Sequence, residues 1–211
     1  MKIFDISVPV HNAMAVWPGD PAVNNFLVNS IKNGDEANVT SVQMSAHTGT
    51  HIDAPCHFID GGRTIDQLDL SLLVGDVEVI EIDKENNIIS KDTLSGLGIK
   101  QWPQRVIFKT NNSYRELMKN NEFYKDFVAL SVDGSKYLIK QGVQLIGIDY
   151  LSIAPFENGD ETHIELLKHE VVVIEGLNLV NIKPGSYQLI ALPINLKGAD
   201  GAPARVLLIE E

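Results

Sequence analysis

The segment HTGTHIDAPCH, residues 47–57, gathers an unusual set of polar side chains into a short part of the chain. It holds three of the six histidines and one aspartate, all at odd-numbered positions: His47, His51, Asp53 and His57. Alternate side chains of an extended backbone share one face, so an extended segment would collect all four. A helix would instead rotate Asp53 about 240° away from His47, at roughly 100° per residue. The β-branched residues and the proline of the segment also disfavour a helix. We therefore predict extended backbone here.

Full extension alone cannot bring these side chains into one site. At about 3.3 Å per residue, His47 and His57 would stand roughly 33 Å apart. The chain must therefore bend within the segment, and Gly49 and residues 54–55 (Ala-Pro) are the positions where bending costs least.

The spacing of these residue types indicates a metal site. His51 and Asp53 would lie about 6.6 Å apart on one face, which suits the binding of one ion. A single histidine is more simply explained by a hydrogen-bonded structural role, but several polar groups buried without partners would cost roughly 1–3 kcal/mol each. A metal ion satisfies them together. Imidazole and carboxylate ligands without thiolate favour Zn²⁺ or Mn²⁺.

Composition limits the classes of protein to which this chain could belong. Its 211 residues, 44% apolar and 21% charged, fit a single globular domain, residues 1–211. The formal net charge is −11 and the basic residues are dispersed. We therefore expect no nucleic-acid partner and no membrane partner, but a small-molecule substrate.

The expected location is the cytoplasm. The single cysteine, Cys56, excludes an internal disulfide and is consistent with a reducing compartment. The first residues, MKIFDISVPVHN, are too short and too interrupted by charge for a signal peptide. No apolar run approaches the roughly 18 residues of a membrane span.

Hydrophobic patterns predict an α/β (α+β) fold with a mixed β-sheet flanked by helices. Segments rich in Val, Ile and aromatic residues predict strands over 3–9, 39–47, 75–82, 105–110, 143–148, 170–175, 187–194 and 205–210. Helices are predicted over 133–141 and 160–168, each leading into a strand, with short helices over 66–73 and 113–119. Long loops are predicted over 10–38, 54–65 and 195–203, where functional residues tend to concentrate.

The segment HTGTHIDAPCHF resembles the H-x-G-T-H-x-D-x-P-x-H-F signature of the cyclase-like metal-dependent hydrolases, a family that includes bacterial kynurenine formamidases and isatin hydrolases. The likeness extends to FDISVPVHNAMAVWPGDP, QLIGIDYLSIAP, HEVVVIEGLNL and YQLIALPINLKGADGAPARVLL. The resemblance implies a swivelling β/β/α-like domain, a bound Zn²⁺ or Mn²⁺ with one or two ions per subunit, and a homodimer or homotetramer.

The resemblance also implies roles for particular residues. The implied metal ligands are His47, His51, Asp53, His163 and Glu175, with the two carboxylates able to bridge two ions. His57 corresponds to the general acid/base and Trp17 to a residue that packs against substrate. Phe58 and Tyr150 could join Trp17 in stacking on an aromatic ring.

The implied reaction is hydrolysis of an amide C–N bond by metal-activated water, as in an arylformamidase acting on N-formylkynurenine. Opening of a cyclic amide or lactone, as in isatin hydrolysis, is the alternative within enzymes. A metal-binding module without catalysis is the alternative outside them. Two departures from kynurenine formamidases bear on the substrate: Ile164 stands where a second histidine is frequent, and Tyr150 occupies GIDYLS where GIDTPS is typical.

The remaining candidate residues are expected to have structural roles. His11 follows the first predicted strand, and His169 lies at a helix C-terminus that favours its charge. Cys56 is not expected to act as a nucleophile, since no neighbouring residue in the sequence evidently activates it.

Overall fold

The computed structural model describes residues 1–210 and shows a mixed α/β architecture. Twelve strands are present over these residues: β1 Lys2–Asp5, β2 Asn24–Asn29, β3 Val39–Gln43, β4 His51–Asp53, β5 Val74–Glu81, β6 Ile88–Ile89, β7 Arg105–Lys109, β8 Ala129–Leu130, β9 Leu145–Ile148, β10 Val172–Glu175, β11 Gly185–Pro193 and β12 Gly201–Glu210. The α-helices are α1 Leu70–Leu73, α2 Lys91–Gly96, α3 Asn111–Tyr114, α4 Val132–Lys140 and α5 Asp160–Lys168.

The main sheet has eight strands in the order β1-β12-β11-β5-β7-β9-β10-β4. Strand β4 also pairs with the beginning of β12, so the sheet closes on itself in the manner of a barrel. The contacts of β5 with β7, β7 with β9 and β9 with β10 are parallel, while the others are antiparallel. The predicted mixed sheet flanked by helices is therefore confirmed.

Two apolar clusters cover the two faces of this sheet. One lies inside the closed sheet and includes Ile52, Val79 and Leu189. The other lies between the sheet and the helices and includes Phe108 and Leu166. Strands β7, β9 and β10 are buried at every residue because both of their faces are covered. This explains why the central residues of these strands are apolar in succession instead of alternating, with charged residues only at the ends of β7 and β10.

The helices are short, and four of the five begin at a side-chain cap. The Ser131 hydroxyl accepts a hydrogen bond from the Gly134 amide and so begins α4. Helix α5 has two acidic residues in its first turn, which suits the positive end of the helix dipole. Within residues 1–210, no helix combines the length and the hydropathy that a membrane crossing requires.

The structure corrects the sequence prediction in the first quarter of the chain. Residues 10–38, predicted as a loop, contain strand β2, and the strand predicted over 39–47 ends at Gln43. Strand β2 forms a separate two-stranded sheet with β3. Its apolar residues face solvent in succession, so the alternation that marks a half-buried strand is absent. Helix α2 and the two-residue strands β6 and β8 were also not predicted.

The β2–β3 hairpin carries an exposed apolar surface. The side chains that form it are Phe26, Leu27, Val28, Ile31, Val39 and Val42, each of them about half exposed. Because neighbouring residues of a strand point to opposite faces, these side chains divide between the two faces of the hairpin. Exposed apolar side chains in such number are typical of interaction sites. This agrees with the homodimer or homotetramer that the family resemblance implies, which stays a prediction.

Gly176, immediately after β10, is a position where any side chain should disrupt the fold. Its backbone has φ of +70°, and a Cβ placed there would lie 2.1 Å from the Gly49 carbonyl oxygen. Gly142 also has a positive φ, +84°, but open space surrounds it. We expect Gly142→Ala to lower the free energy of unfolding by only the conformational strain of about 1–2 kcal/mol. Gly176→Ala should lower the free energy of unfolding by clearly more, because the clash with the Gly49 carbonyl adds to the conformational strain.

Urea unfolding of the two variants measures this difference. Equal losses of stability would show that the close approach of residues 49 and 176 does not constrain the fold.

Candidate metal centre

The floor of the site is built from two neighbouring strands. His51 and Asp53 stand two residues apart on β4, so their side chains share one face of the sheet. Glu175 ends β10 directly opposite His51 in the antiparallel pairing. All three side chains are almost completely buried. The pairing of β4 with β10 therefore fixes two carboxylates and one imidazole beside one another.

A bend in the chain brings His47 to the same place. Gly49 adopts φ of +65° and turns the backbone ahead of β4, as the sequence predicted. His47 Nδ1 then lies 2.9 Å from Asp53 Oδ1. After β4 the chain turns again through the 3₁₀ helix Pro55–His57. This second turn stacks the His57 ring on the His47 ring, with 3.9 Å between centroids.

His163 approaches from the helical side. It lies on α5, with Nε2 3.3 Å from Glu175 Oε1 and 3.9 Å from Asp53 Oδ2. The Phe58 ring stacks on the His163 imidazole at 4.5 Å between centroids, nearly parallel to it. The structure thus brings together all five predicted metal ligands, although they come from separate parts of the chain.

The donor atoms of this cluster fit a divalent cation. His51 Nε2 and Asp53 Oδ2 are buried without any hydrogen-bond partner, an arrangement that is costly unless something else binds them. Ligand atoms of His51, Asp53 and Glu175 lie within 4.8 Å of one another, and the same holds for His47, Asp53 and His57. Asp53 belongs to both groups.

Hydrogen bonds to backbone carbonyls orient two of the imidazoles. His51 Nδ1 lies 2.9 Å from the Gly49 oxygen and His163 Nδ1 lies 3.1 Å from the Gly159 oxygen. A carbonyl oxygen can only accept, so each Nδ1 carries the proton. When either ring loses its second proton, the unprotonated nitrogen is therefore Nε2, which points at the carboxylates as a metal ligand requires.

The electrostatics of the cluster reflect its buried carboxylates. Burial alone would lower the pKa of His47, but the hydrogen bond and charge of Asp53, followed by those of Asp200, raise it to about 9. Burial is likewise outweighed by Glu175 at His51 and at His163, and both pKa values are raised. The protonated imidazoles therefore supply the positive charge that balances the negative charge of the buried carboxylates.

His57 differs from the other histidines of the site. Burial lowers the pKa of His57 below its ordinary value, and the nearby His47 and His163 add to this effect, against the opposing charges of Asp53 and Glu175. The neutral imidazole therefore dominates at neutral pH. A neutral histidine beside the metal-binding cluster is suited to accept a proton.

A cavity of about 200 Å³ opens above the cluster. Its apolar lining includes Trp17, Phe58, Leu151 and Phe156. Its polar lining includes His57 and His163, which belong to the cluster below. Edge-on and tilted contacts with neighbouring phenylalanines fix the Trp17 ring. Trp17 and Phe58 therefore both border the space available to a ligand, and their contact with substrate stays a prediction.

Tyr150 does not occupy the position expected from the sequence. Its ring is 1% exposed and packs against Phe123 and Phe127, outside the lining of the cavity. Its hydroxyl accepts a hydrogen bond from the Tyr124 amide. The residue stabilises the aromatic layer behind Trp17 instead of contacting the space available to a ligand, so its proposed stacking role is corrected here.

Sequence reasoning missed three acidic residues of the site: Asp160, which lines the cavity at the start of α5, and two aspartates in segments that resemble the family. Asp200 Oδ2 lies 3.2 Å from His47 Nε2 and 3.5 Å from His57 Nδ1. Asp20 lines the cavity next to Trp17. Both occur in segments that resemble the family, WPGDP and GADGAP, so the motifs were recognised while their aspartates were not singled out.

The remaining candidates lie away from the chemistry. His169 Nδ1 donates to the Glu165 carbonyl at the end of α5, and neither His169 nor His11 lines the cavity. Burial raises the pKa of the Cys56 thiol, which therefore stays protonated and unreactive at neutral pH. These positions agree with the structural roles expected for them.

These features are those of a divalent-metal protein with a ligand cavity, and comparisons with known proteins identify the family. The chain matches the family described as "Putative cyclase" over residues 4–155. It is 39% identical to Cyclase-like protein 3 from Arabidopsis thaliana, over 99% of this chain and 80% of that protein. It is 34% identical to a kynurenine formamidase from Bacillus anthracis, over 98% of this chain and 97% of the relative. The protein belongs to the cyclase family.

Solved structures agree with this assignment. A potential metal-dependent hydrolase with cyclase activity matches with a TM-score of 0.83 and 34% identity, over 98% of this chain and 96% of the other. Isatin hydrolase A from Labrenzia aggregata also has a TM-score of 0.83, over 100% of this chain and 94% of the other. At 19% identity the isatin hydrolase shows a shared fold alone. The predicted resemblance is confirmed, and the closer relatives together with the donor cluster support a metal-dependent hydrolase.

Binding of a divalent ion to the metal-free protein should release protons at pH 7. The reason is that the pKa of His47 is raised to about 9, so its imidazole is protonated until an ion replaces that charge. Titration calorimetry in buffers of different ionisation enthalpy measures the release, and we expect about one proton or more per protein. A heat of binding that does not depend on the buffer would contradict this account of the cluster.

Proposed function

We propose that this protein is a metal-dependent amidohydrolase that cleaves the C–N bond of a small aromatic amide, as an arylformamidase does. The observation that carries the proposal is the pair of buried, unpartnered donor atoms, His51 Nε2 and Asp53 Oδ2, beneath a cavity with an aromatic wall. The similarity to kynurenine formamidases over almost the full length of both chains supports the reaction class.

The residues suited to hold the cation are His47, His51, Asp53, His163 and Glu175. Zn²⁺ and Mn²⁺ fit a set of imidazole and carboxylate ligands without thiolate. The group His51, Asp53 and Glu175 supports one ion. A second ion beside His47 and Asp53 would compete for His57, the third member of that group, so the role of His57 as acid/base favours a single ion. When bound, a divalent ion supplies Lewis acidity and lowers the pKa of a coordinated water from about 15.7 toward about 7.

His57 is the proposed general acid/base. It lines the cavity, and burial favours its neutral form, so it can take a proton from the attacking water. The same imidazole can return that proton to the leaving nitrogen as the C–N bond breaks. Stacking on His47 limits the rotation of the His57 ring and keeps it directed toward the reacting groups.

The aromatic wall supports an aryl substrate. Trp17 and Phe58 both line the cavity that opens above the metal-binding floor. Offset or edge-on contact with a substrate ring is worth about 0.5–1.5 kcal/mol for each aromatic pair beyond the burial of area. For an N-formyl arylamine the products would be formate and the aromatic amine.

The two departures from kynurenine formamidases do not narrow this cavity. Ile164 is 40% exposed on α5, so the position after His163 points toward solvent. The isoleucine that stands there in place of a histidine therefore removes no ligand from the cluster. Tyr150 is buried behind the wall, where Leu151 and Ser152 line the cavity in its place. N-formylkynurenine therefore remains the leading substrate of the proposal.

Hydrolysis of a cyclic amide or a lactone is the second candidate reaction. The observation that favours it is the small size of the cavity, about 200 Å³ with an aromatic wall, and the fold is shared with isatin hydrolase A. Isatin is a compact bicyclic ring that requires little space beyond the aromatic wall. The two candidates differ in the substrate and not in the proposed role of the metal-binding cluster.

Assays of the metal-loaded protein with N-formylkynurenine and with isatin separate these candidates. We expect turnover of the formamide to exceed that of isatin, because the proposal rests on the more similar relatives. Turnover of isatin alone would overturn the formamidase assignment. Turnover of neither, with stoichiometric metal bound, would exclude both substrates.

Variants of His57 and Asp53 distinguish the proposed acid/base from a proposed metal ligand. His57→Ala should lower kcat by about 10²–10⁴-fold with metal content retained, since general acid–base catalysis contributes that much. Asp53→Ala should instead lose bound metal, because its carboxylate belongs to both donor groups. Metal content is measured by elemental analysis.

His11→Ala serves as the matched control, because it removes a histidine outside the cavity and should preserve both activity and metal. Full activity in His57→Ala would overturn the acid/base role. Loss of metal in that variant would assign His57 to the ligands. A wild-type protein that binds metal but hydrolyses no amide, ester or lactone would indicate a metal-binding module.

A further inference from the structure

The metal-binding histidines share a pattern in which one ring nitrogen faces the cluster and the other has an outer partner. His51 and His163 face the cluster through Nε2, and their Nδ1 atoms donate to backbone carbonyls. His47 is reversed: its Nδ1 lies 2.9 Å from Asp53 Oδ1 and faces the cluster. Its outer nitrogen, Nε2, lies 3.2 Å from the carboxylate of Asp200. The outer partner of His47 is thus charged, unlike the other two.

The backbone holds Asp200 firmly beside this imidazole. The Ala54 amide donates to the Asp200 carbonyl at 2.8 Å, and the next residue, Gly201, pairs with Asp53 across β12 and β4. A Cβ at Gly201 would lie 2.6 Å from His47 Cε1. A glycine here therefore allows the imidazole to rest against the strand, with its Nε2 edge at the carboxylate.

Asp200 contacts a second ring of the site. Its Oδ2 lies 3.5 Å from His57 Nδ1, while the His57 ring stacks on His47. One carboxylate oxygen therefore lies near the edges of both stacked imidazoles. Asp200 therefore contacts both a proposed ligand and the proposed acid/base.

We propose that Asp200 is a positioning residue that orients His47 for metal binding. By accepting the proton of His47 Nε2, the carboxylate leaves Nδ1 unprotonated and directed at the ion. A carboxylate behind a ligating imidazole fixes its tautomer and increases its basicity as a ligand. The inference rests on the proposed function only in requiring that the cluster binds a divalent ion.

The direct test is the affinity for Zn²⁺ or Mn²⁺, measured by competition with a chromophoric chelator on the full chain. Loss of an outer carboxylate weakens metal binding by about 10–100-fold, and we expect this for Asp200→Ala. Asp200→Asn should be affected less, because an amide oxygen can still accept from His47 Nε2. This graded order distinguishes orientation by a hydrogen bond from general disruption.

Asp66→Ala is the matched control for the position of the loop that precedes β12 and contains Asp200. Asp66 accepts a hydrogen bond from the Gly198 amide, so it anchors the same loop without touching either histidine. We expect this variant to bind metal like the wild type. Equal weakening in Asp66→Ala and Asp200→Ala would show that the placement of the loop matters and not the carboxylate, which would overturn the proposal.

The two proposals fail in different ways. A wild-type protein without affinity for divalent ions would overturn both the metal-dependent function and the role of Asp200. Metal bound equally well by the wild type and Asp200→Ala would overturn the positioning role alone. Thermal unfolding of the metal-free variants, compared with that of the wild type, shows whether a loss of affinity comes from loss of the fold.

Discussion

Two carboxylates buried side by side are the constraint around which this structure is arranged. Asp53 and Glu175 lie on neighbouring strands, and both are almost fully excluded from water. Burying an anion without compensating charge is strongly unfavourable, and a second anion beside it raises the cost further. Positive charge must therefore accompany them. Imidazolium groups supply it in the metal-free protein, and a divalent ion supplies it more completely.

The closure of the sheet is what brings these groups together. Strand β4 has only three residues, yet it pairs with β10 on one side and with β12 on the other. The first pairing places Glu175 beside His51, and the second places residues 200–201 beside Asp53 and His47. Backbone hydrogen bonds thereby hold together a site whose residues come from four distant parts of the sequence. Because the side chains are already in place, less conformational entropy is lost when a ligand binds.

Much of the site was predictable from sequence because its centre is local. His47, His51 and Asp53 stand at odd-numbered positions, and in an extended chain such side chains share one face. Full extension would separate them too far, which predicts the bend at Gly49. His163 and Glu175 required the family resemblance, since nothing in their immediate neighbourhoods indicates a shared ion. Asp200 was missed because its role depends on the pairing of β12 with β4, which no local pattern encodes. Strand β2 was missed because it is exposed.

The misplacement of Tyr150 shows where sequence reasoning about specificity fails. Most of the floor of the cavity consists of side chains on the paired strands β4 and β10 and on helix α5, whose directions follow from regular geometry. Its wall consists of loop residues such as Trp17, Leu151 and Phe156, whose directions depend on how the aromatic layer packs. Tyr150 and Leu151 are adjacent, yet one supports the wall from behind and the other lines it. The reaction class is therefore encoded in the regular part of the fold, and substrate selection in the packing of the loops above it.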